Sequence, residues 1–167
     1  MTGPTHIDPA GRARMVDVSA KAPTRRVASA SGALRMSESA LAALTEGRLS
    51  KGDALAVARV AGIQAAKRTP GLIPLCHPLP LDHVAIAIQA DPSLPGVRAS
   101  AEVVATARTG AEMEALTAVA VALLTVYDMA KSMDRSMTIE SIRLDQKAGG
   151  SGGDYVREEE RFAAPGR

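Results

Sequence analysis

The stretch HVAIAIQADPSLPGVRASAEVVATA, residues 83–107, decides the fold. Its first half alternates, so that Val84, Ile86 and Ile88 point to one side of an extended chain. Asp91-Pro92-Ser93-Leu94-Pro95-Gly96 is a turn, built from residues that favour bends. Alternation then resumes over 97–107. Val97, Ala99, Ala101, Val103 and Ala105 share one face, and Arg98, Ser100, Glu102, Thr106 and Arg108 share the other. Two alternating runs joined by a short turn predict a β-hairpin.

Downstream, Thr109 and Glu112 have the T-x-x-E form of a capping box, opening a long, mostly apolar helix over 110–133. A helix apolar nearly all round is buried on more than one side, which in a small domain suggests a subunit contact. Residues 136–146 read as a last strand, with a phase shift between Ile139 and Ile142 that fits a bulge. AGGSGG (148–153) and a charged tail follow. Upstream, residues 69–81 hold four prolines in an apolar run, which predicts a packed, stiff loop and no long helix. Before it, Ser50-Lys51-Gly52-Asp53 has the S-x-x-D pattern of a capping box for a helix to about Lys67. Ser37 caps a short helix that Gly47 ends, and residues 13–19 and 24–36 are β-like.

With the first short strand set aside, the order is βαββαβ. That predicts an α+β, ferredoxin-like sandwich, with an antiparallel sheet and its helices on one face. A different sheet order fits the same string. The expected organisation is a flexible arm (1–12), a ferredoxin-like domain (13–147) and a Gly-rich tail (148–167).

Composition narrows the function. The 167 residues suit one domain. A formal charge of +2, no Trp, one Phe and two Tyr argue against a nucleic-acid binder, which needs basic excess or stacking platforms. One cysteine excludes a disulfide framework and a Cys-based zinc site. His6, His77 and His83 have no metal-ligand spacing. No run reaches the length of an apolar membrane span, and the N-terminus lacks a signal pattern, so a cytoplasmic location is expected. Alanine fills about a fifth of the chain, so each core side chain buries little area and oligomerisation would add burial. Genomic base composition accounts for the alanine equally well.

Several side chains could carry chemistry. Asp128 and Lys131 share a helix face three residues apart. They are either a surface ion pair or, given their apolar neighbours, a partly buried pair suited to acid–base work. Glu112 is accounted for by the capping box, which leaves Glu114 as the functional candidate or as a favourable acid in a first helical turn. Met113 reads as core more readily than as a ligand contact. Cys76-His77 sits in the proline frame, where a lone His is structural or a rigidly held site residue. Lys51 opens a helix against the macrodipole, a hint of another role. Lys147 precedes AGGSGG, which is either a hinge or a phosphate cradle. Lys51, Lys67, Arg108, Lys131 and Lys147 together suit a small polyanion such as a nucleotide phosphate.

Six segments then recur in the order of one known family. They are RMVDVS (14–19), KGD (51–53), AGIQAAKRT (61–69), LIPLCHPL (72–79), TGAEMEALT (109–117) and VYDMAK (126–131). Over residues 5–156 the chain resembles the cyclic pyranopterin monophosphate synthase family, the C proteins of molybdenum cofactor (molybdopterin) biosynthesis. The resemblance implies a lyase that converts a cyclic dihydro-GTP to cyclic pyranopterin monophosphate with loss of diphosphate. It implies no redox cofactor, and the sequence indicates no divalent cation such as Mg. It also implies a homo-hexamer, a trimer of dimers, of ferredoxin-like subunits with sites at subunit interfaces.

Carried over by position, the family's active-site aspartate falls on Asp128 and its lysines on Lys51, Lys131 and Lys147. Its substrate-contacting loop falls on Leu75, Cys76 and His77, and its second contact on Met113 and Glu114. Arg26, Lys67 and Arg108 match basic positions at the phosphates or the pocket wall. The implied roles are proton movement by Asp128, Lys131 and Lys51, with His77 and Lys147 steadying phosphate charge. The family tail carries a basic residue and a Ser where this chain has Ser151 and Gly152, so one positive charge near the pocket is missing. Two other classes compete: a non-catalytic nucleotide-binding regulator on the same fold, and a structural oligomer-forming subunit with no nucleotide affinity.

Overall fold

The computed structural model describes residue 7 and residues 10–158. In chain order it runs β1 (Thr24–Arg35), α1 (Glu38–Thr45), α2 (Ala54–Leu72), β2 (Leu81–Asp91), β3 (Gly96–Ala107), α3 (Glu112–Ala130), β4 (Thr138–Ala148) and β5 (Tyr155–Val156). The strands form one antiparallel sheet of order β2-β3-β1-β4-β5. The expected hairpin is β2 with β3, in register at Ile86↔Ala101. Apart from β5, element order and strand order are those of the expected ferredoxin-like plan.

Alternation decides which sheet face is covered. Ala28, Ala30 and Leu34 of β1, and Val97, Ala99, Ala101 and Val103 of β3, are buried in the core that α2 and α3 complete. Alanines on the central strands let α3 come close, and it buries Ala115, Ala118, Val119, Ala122, Leu123 and Val126 there. The two helices meet at Gly62, where an added Cβ would overlap Ile86 and sit 3.0 Å from the Ala118 carbonyl. The opposite sheet face carries Ser31, Arg35, Gln89, Ser100 and Arg143 around an open depression of about 690 Å³.

Several local expectations are corrected. Residues 13–19 form no strand; Ala13 makes only an isolated bridge with Ile7. Asp17 accepts the Ser19 N–H at 2.8 Å, and that local bond competes with strand pairing. Asp53, not Ser50, is the N-cap of α2, accepting the Ala56 N–H at 2.9 Å. Lys51 therefore lies in the preceding turn, and its charge does not open a helix. α2 also outruns Lys67, passing through Pro70 to Leu72. Pro70 forfeits one backbone donor in the last turn, and the Ile73 N–H still closes on the Thr69 carbonyl at 2.9 Å.

The second capping box is absent as well: Ala111 is the N-cap of α3 and makes no side-chain bond, which frees Glu112. The helix stops at Ala130, short of Met133. Its 19 residues have a mean hydropathy of 1.5, so it does have the length and composition of a membrane span. More than half of that window is buried inside the fold, which explains the hydropathy without a bilayer. The phase shift in β4 is a real irregularity, with Ser141 at φ 55° and a register shift against Ser31 and Ala33. Residues 149–153 make the turn into β5, with Gly149, Gly150 and Gly153 at positive φ. His6 and residues 159–167 lie outside the described residues.

Candidate active site

The C-terminal end of α3 carries the first cluster. Asp128 is on its last turn, and Lys131 is the C-cap residue. Lys51 arrives from the turn before α2. Its Nζ lies 2.6 Å from Asp128 Oδ2 and donates at 3.0 Å to the Asp128 backbone carbonyl. Lys131 Nζ lies 2.7 Å from Oδ1. Each carboxylate oxygen thus holds one ammonium. The hydrogen bonds from Lys131, then Lys51, hold the Asp128 carboxyl down at about 2. The three side chains remain about half exposed in the single chain, so the expectation of a partly buried pair is corrected. The spacing of Asp128 and Lys131 was readable in the sequence. The third member, 77 residues upstream, was placed there only by resemblance.

The N-terminal end of α3 carries the second cluster. Glu114 is 1% exposed, and its Oε2 has no hydrogen-bond partner. Its Oε1 lies 3.6 Å from Cys76 Sγ, the donor that the proline-framed loop supplies. Burial raises the Glu114 carboxyl above its ordinary range, and the nearby Glu112 charge adds to the effect. Burial, with the Glu114 charge beside it, pushes the Cys76 thiol up to about 11. At neutral pH Cys76 is therefore a protonated donor and a poor nucleophile. Leu75 and His77 are half-buried on either side of it, and Met113 is exposed.

A raised carboxyl makes folding pH-dependent. The folded state binds the Glu114 proton more tightly than the unfolded chain does, so wild-type stability should fall as pH rises above the ordinary glutamate range. Glu114→Gln should flatten that slope, and at pH 8 gain about 1 kcal/mol over wild type. Urea unfolding at pH 4.5 and 8 checks this. Parallel behaviour of the two proteins would contradict a buried, unsatisfied acid.

Beside Glu112, the ends of β1, β3 and β4 line a cavity of about 240 Å³. Arg26 and Arg108 line it, as does Lys147, whose Nζ is 3.4 Å from Glu112 Oε1. Arg26 is 8% exposed and donates to the carbonyls of Ala107, Gly149 and Arg108 at 3.2, 2.9 and 3.3 Å. It therefore clamps the cavity walls together. Gly150 has to be glycine, because a Cβ there would overlap the Arg26 guanidinium and its φ is +85°. Ser151, which stands where the resemblance implies a basic residue, also lines this cavity.

Lys67 is exposed on α2, away from both clusters' hydrogen bonds. Two residues were missed by sequence reasoning. Glu112 fits a capping pattern that does not form, and no local signal marks its pairing with Lys147. Asp17 lies inside the segment RMVDVS, where nothing local marks it; the Ser19 N–H chiefly lowers its carboxyl, and the charges of Arg14 and His77 add to this. Among the described residues, no group of three or more potential metal ligands occurs.

The MoaC family model matches residues 15–150. The chain belongs to the MoaC family. Within that family it is 58% identical over 155 residues to a cyclic pyranopterin monophosphate synthase of Cereibacter sphaeroides (strain KD131), covering 93% of this chain and 98% of the relative. It is likewise 58% identical over 151 residues to the protein of that name from Nostoc sp., covering 90% of each. The matched residues include the two segments that bracket α3, TGAEMEALT and VYDMAK, each of which delivers one of the clusters.

Proposed function

We propose that the chain is a cyclic pyranopterin monophosphate synthase, a lyase of molybdenum cofactor biosynthesis. It converts cyclic dihydro-GTP to cyclic pyranopterin monophosphate and diphosphate. The observation that carries the geometric part is the clasp of Lys51 and Lys131 on the two oxygens of Asp128. It sets two ammonium groups and a carboxylate within one small, half-exposed patch, as a reaction with several proton transfers needs. Asp128 and the two lysines move protons during ring opening and closure. Closing the cyclic phosphate forms an oxygen–phosphorus bond at the α-phosphorus and breaks the bond to the β-phosphate. The electron pair leaves with diphosphate, and the hydroxyl proton passes to a base. His77 and Lys147 steady the phosphate charge, and Leu75, Cys76, Met113, Glu114 and Arg108 contact substrate. Arg26 acts through the carbonyls it holds. Proton transfer and phosphate departure of this kind call for no resident cofactor, and the reading places the enzyme in the cytoplasm.

The same reading makes the protein a homo-hexamer with sites between subunits. From Glu114 to Asp128 the helix rises about 21 Å at 1.5 Å per residue, so one chain holds its two clusters far apart. A second copy would supply the missing half. The uncovered sheet face with its open depression supports further subunit contact.

The decisive experiment incubates wild type and Lys51→Ala with cyclic dihydro-GTP and measures pyranopterin and diphosphate. Both products should form with wild type, and the variant should lose about 10²-fold or more in rate. A folded wild type that binds the nucleotide and releases nothing would be a regulator; one that does not bind it would be a structural subunit.

A further inference from the structure

We propose that Lys21 is a further substrate-binding residue, one that holds the diphosphate part of the substrate and of the released product. The inference rests on the function proposed above and adds to it a residue outside the two clusters.

Lys21 is held where an anion would need it. Its backbone N–H donates to the Val18 carbonyl at 3.0 Å, and Ser19 N–H donates to Asp17 at 2.8 Å. These successive turns bring Lys21 to the wall of the 240 Å³ cavity, just ahead of β1. Four cations line that cavity, Lys21, Arg26, Arg108 and Lys147, against one carboxylate, Glu112. Two of the four are already committed, Arg26 to carbonyl oxygens and Lys147 to Glu112. Among the described residues, Lys21 and Arg108 have no carboxylate within ion-pair distance. Gly110 and Gly152 also line the space, and without Cβ atoms they leave peptide groups open to a ligand.

Size selects the ligand. Sites for whole small molecules run to about 300–1,000 Å³, so this cavity takes a part of a nucleotide and not all of it. The part with the matching charge is the polyphosphate. An ammonium on a flexible stem follows a departing anion, and its N–H groups meet the charge that builds up on diphosphate as the α-phosphate bond breaks.

The test titrates inorganic diphosphate into the full chain by calorimetry, for wild type, Lys21→Met, Lys21→Arg and the charge-matched control Arg98→Met. Arg98 pairs with Asp91 in the hairpin and lines the opposite sheet face. Lys21→Met should raise the diphosphate Kd about tenfold, the loss of one charge-assisted hydrogen bond. Lys21→Arg should recover most of it, and Arg98→Met should stay within about twofold of wild type. In turnover, Lys21→Met should raise KM for cyclic dihydro-GTP by more than it lowers kcat. An unchanged Kd in Lys21→Met, an equal change in Arg98→Met, or no diphosphate binding by wild type would each overturn the proposal. Lys21-dependent diphosphate binding by a wild type that does not turn over cyclic dihydro-GTP would sustain the site and sink the enzyme reading.

Discussion

Asp128→Asn is expected to cut turnover of cyclic dihydro-GTP by about 10³-fold while substrate still binds. The amide keeps the shape of the carboxylate and removes its charge. Lys51 and Lys131 each lose an ion pair, at 2.6 and 2.7 Å, and are left as two unanchored cations. Lys51 keeps only its bond to the Asp128 carbonyl. Stability should hardly change, because half-exposed ion pairs contribute little to folding. The loss should therefore appear in kcat, with the urea midpoint and nucleotide affinity near those of wild type. Normal turnover by folded Asp128→Asn would refute the assignment.

The pH profile supplies an independent reading of the same site. Asp128 is held at about 2, below the ordinary carboxylate range, so it stays charged throughout the pH range in which the enzyme is assayed. Its pairing is lost only as pH falls toward that value. A limb of the activity profile above the ordinary glutamate range must then come from another group. Glu114, buried and raised, is the group placed to produce it.

What was legible in the sequence follows from range. Period-2 alternation over 84–88 and 97–105 reports directly which side of a strand is buried, and β2 and β3 lie where it says. Caps were read less well, because S-x-x-D and T-x-x-E patterns also occur where a different residue takes the cap. Asp53 displaced Ser50, and Ala111 left Glu112 free to reach Lys147. The four prolines of 69–81 argue against a long helix there, yet Pro70, near the C-terminus of α2, costs a single bond. The site divides in the same way. Asp128 and Lys131, three apart on one helix, are visible to local reasoning. Lys51 with Asp128, Cys76 with Glu114, and Arg26 with the 107–108 and 149 carbonyls join segments far apart in the chain. No periodicity encodes such pairings, and for Lys51 and Cys76 only the resemblance anticipated a shared site.

Mixing two inactive variants should restore activity if the sites lie between subunits. Asp128→Asn disables the proton-moving cluster, and Lys147→Met disables the phosphate cluster, which is expected to cost about 10²-fold or more by itself. The two clusters sit at opposite ends of α3, about 21 Å apart along its axis. In a twofold contact, one end of each helix faces the other end of its partner. A mixed pair then holds one site with both lesions and one with neither. Random assortment makes half the pairs mixed, and each of these has one intact site in two. Co-expressed chains should therefore recover about a quarter of wild-type turnover, far above either parent. Sites contained within one chain would give no recovery, since every site would carry one lesion. The experiment thus reads the composition of the site from rates alone, and a mixture no more active than its parents would exclude the shared arrangement.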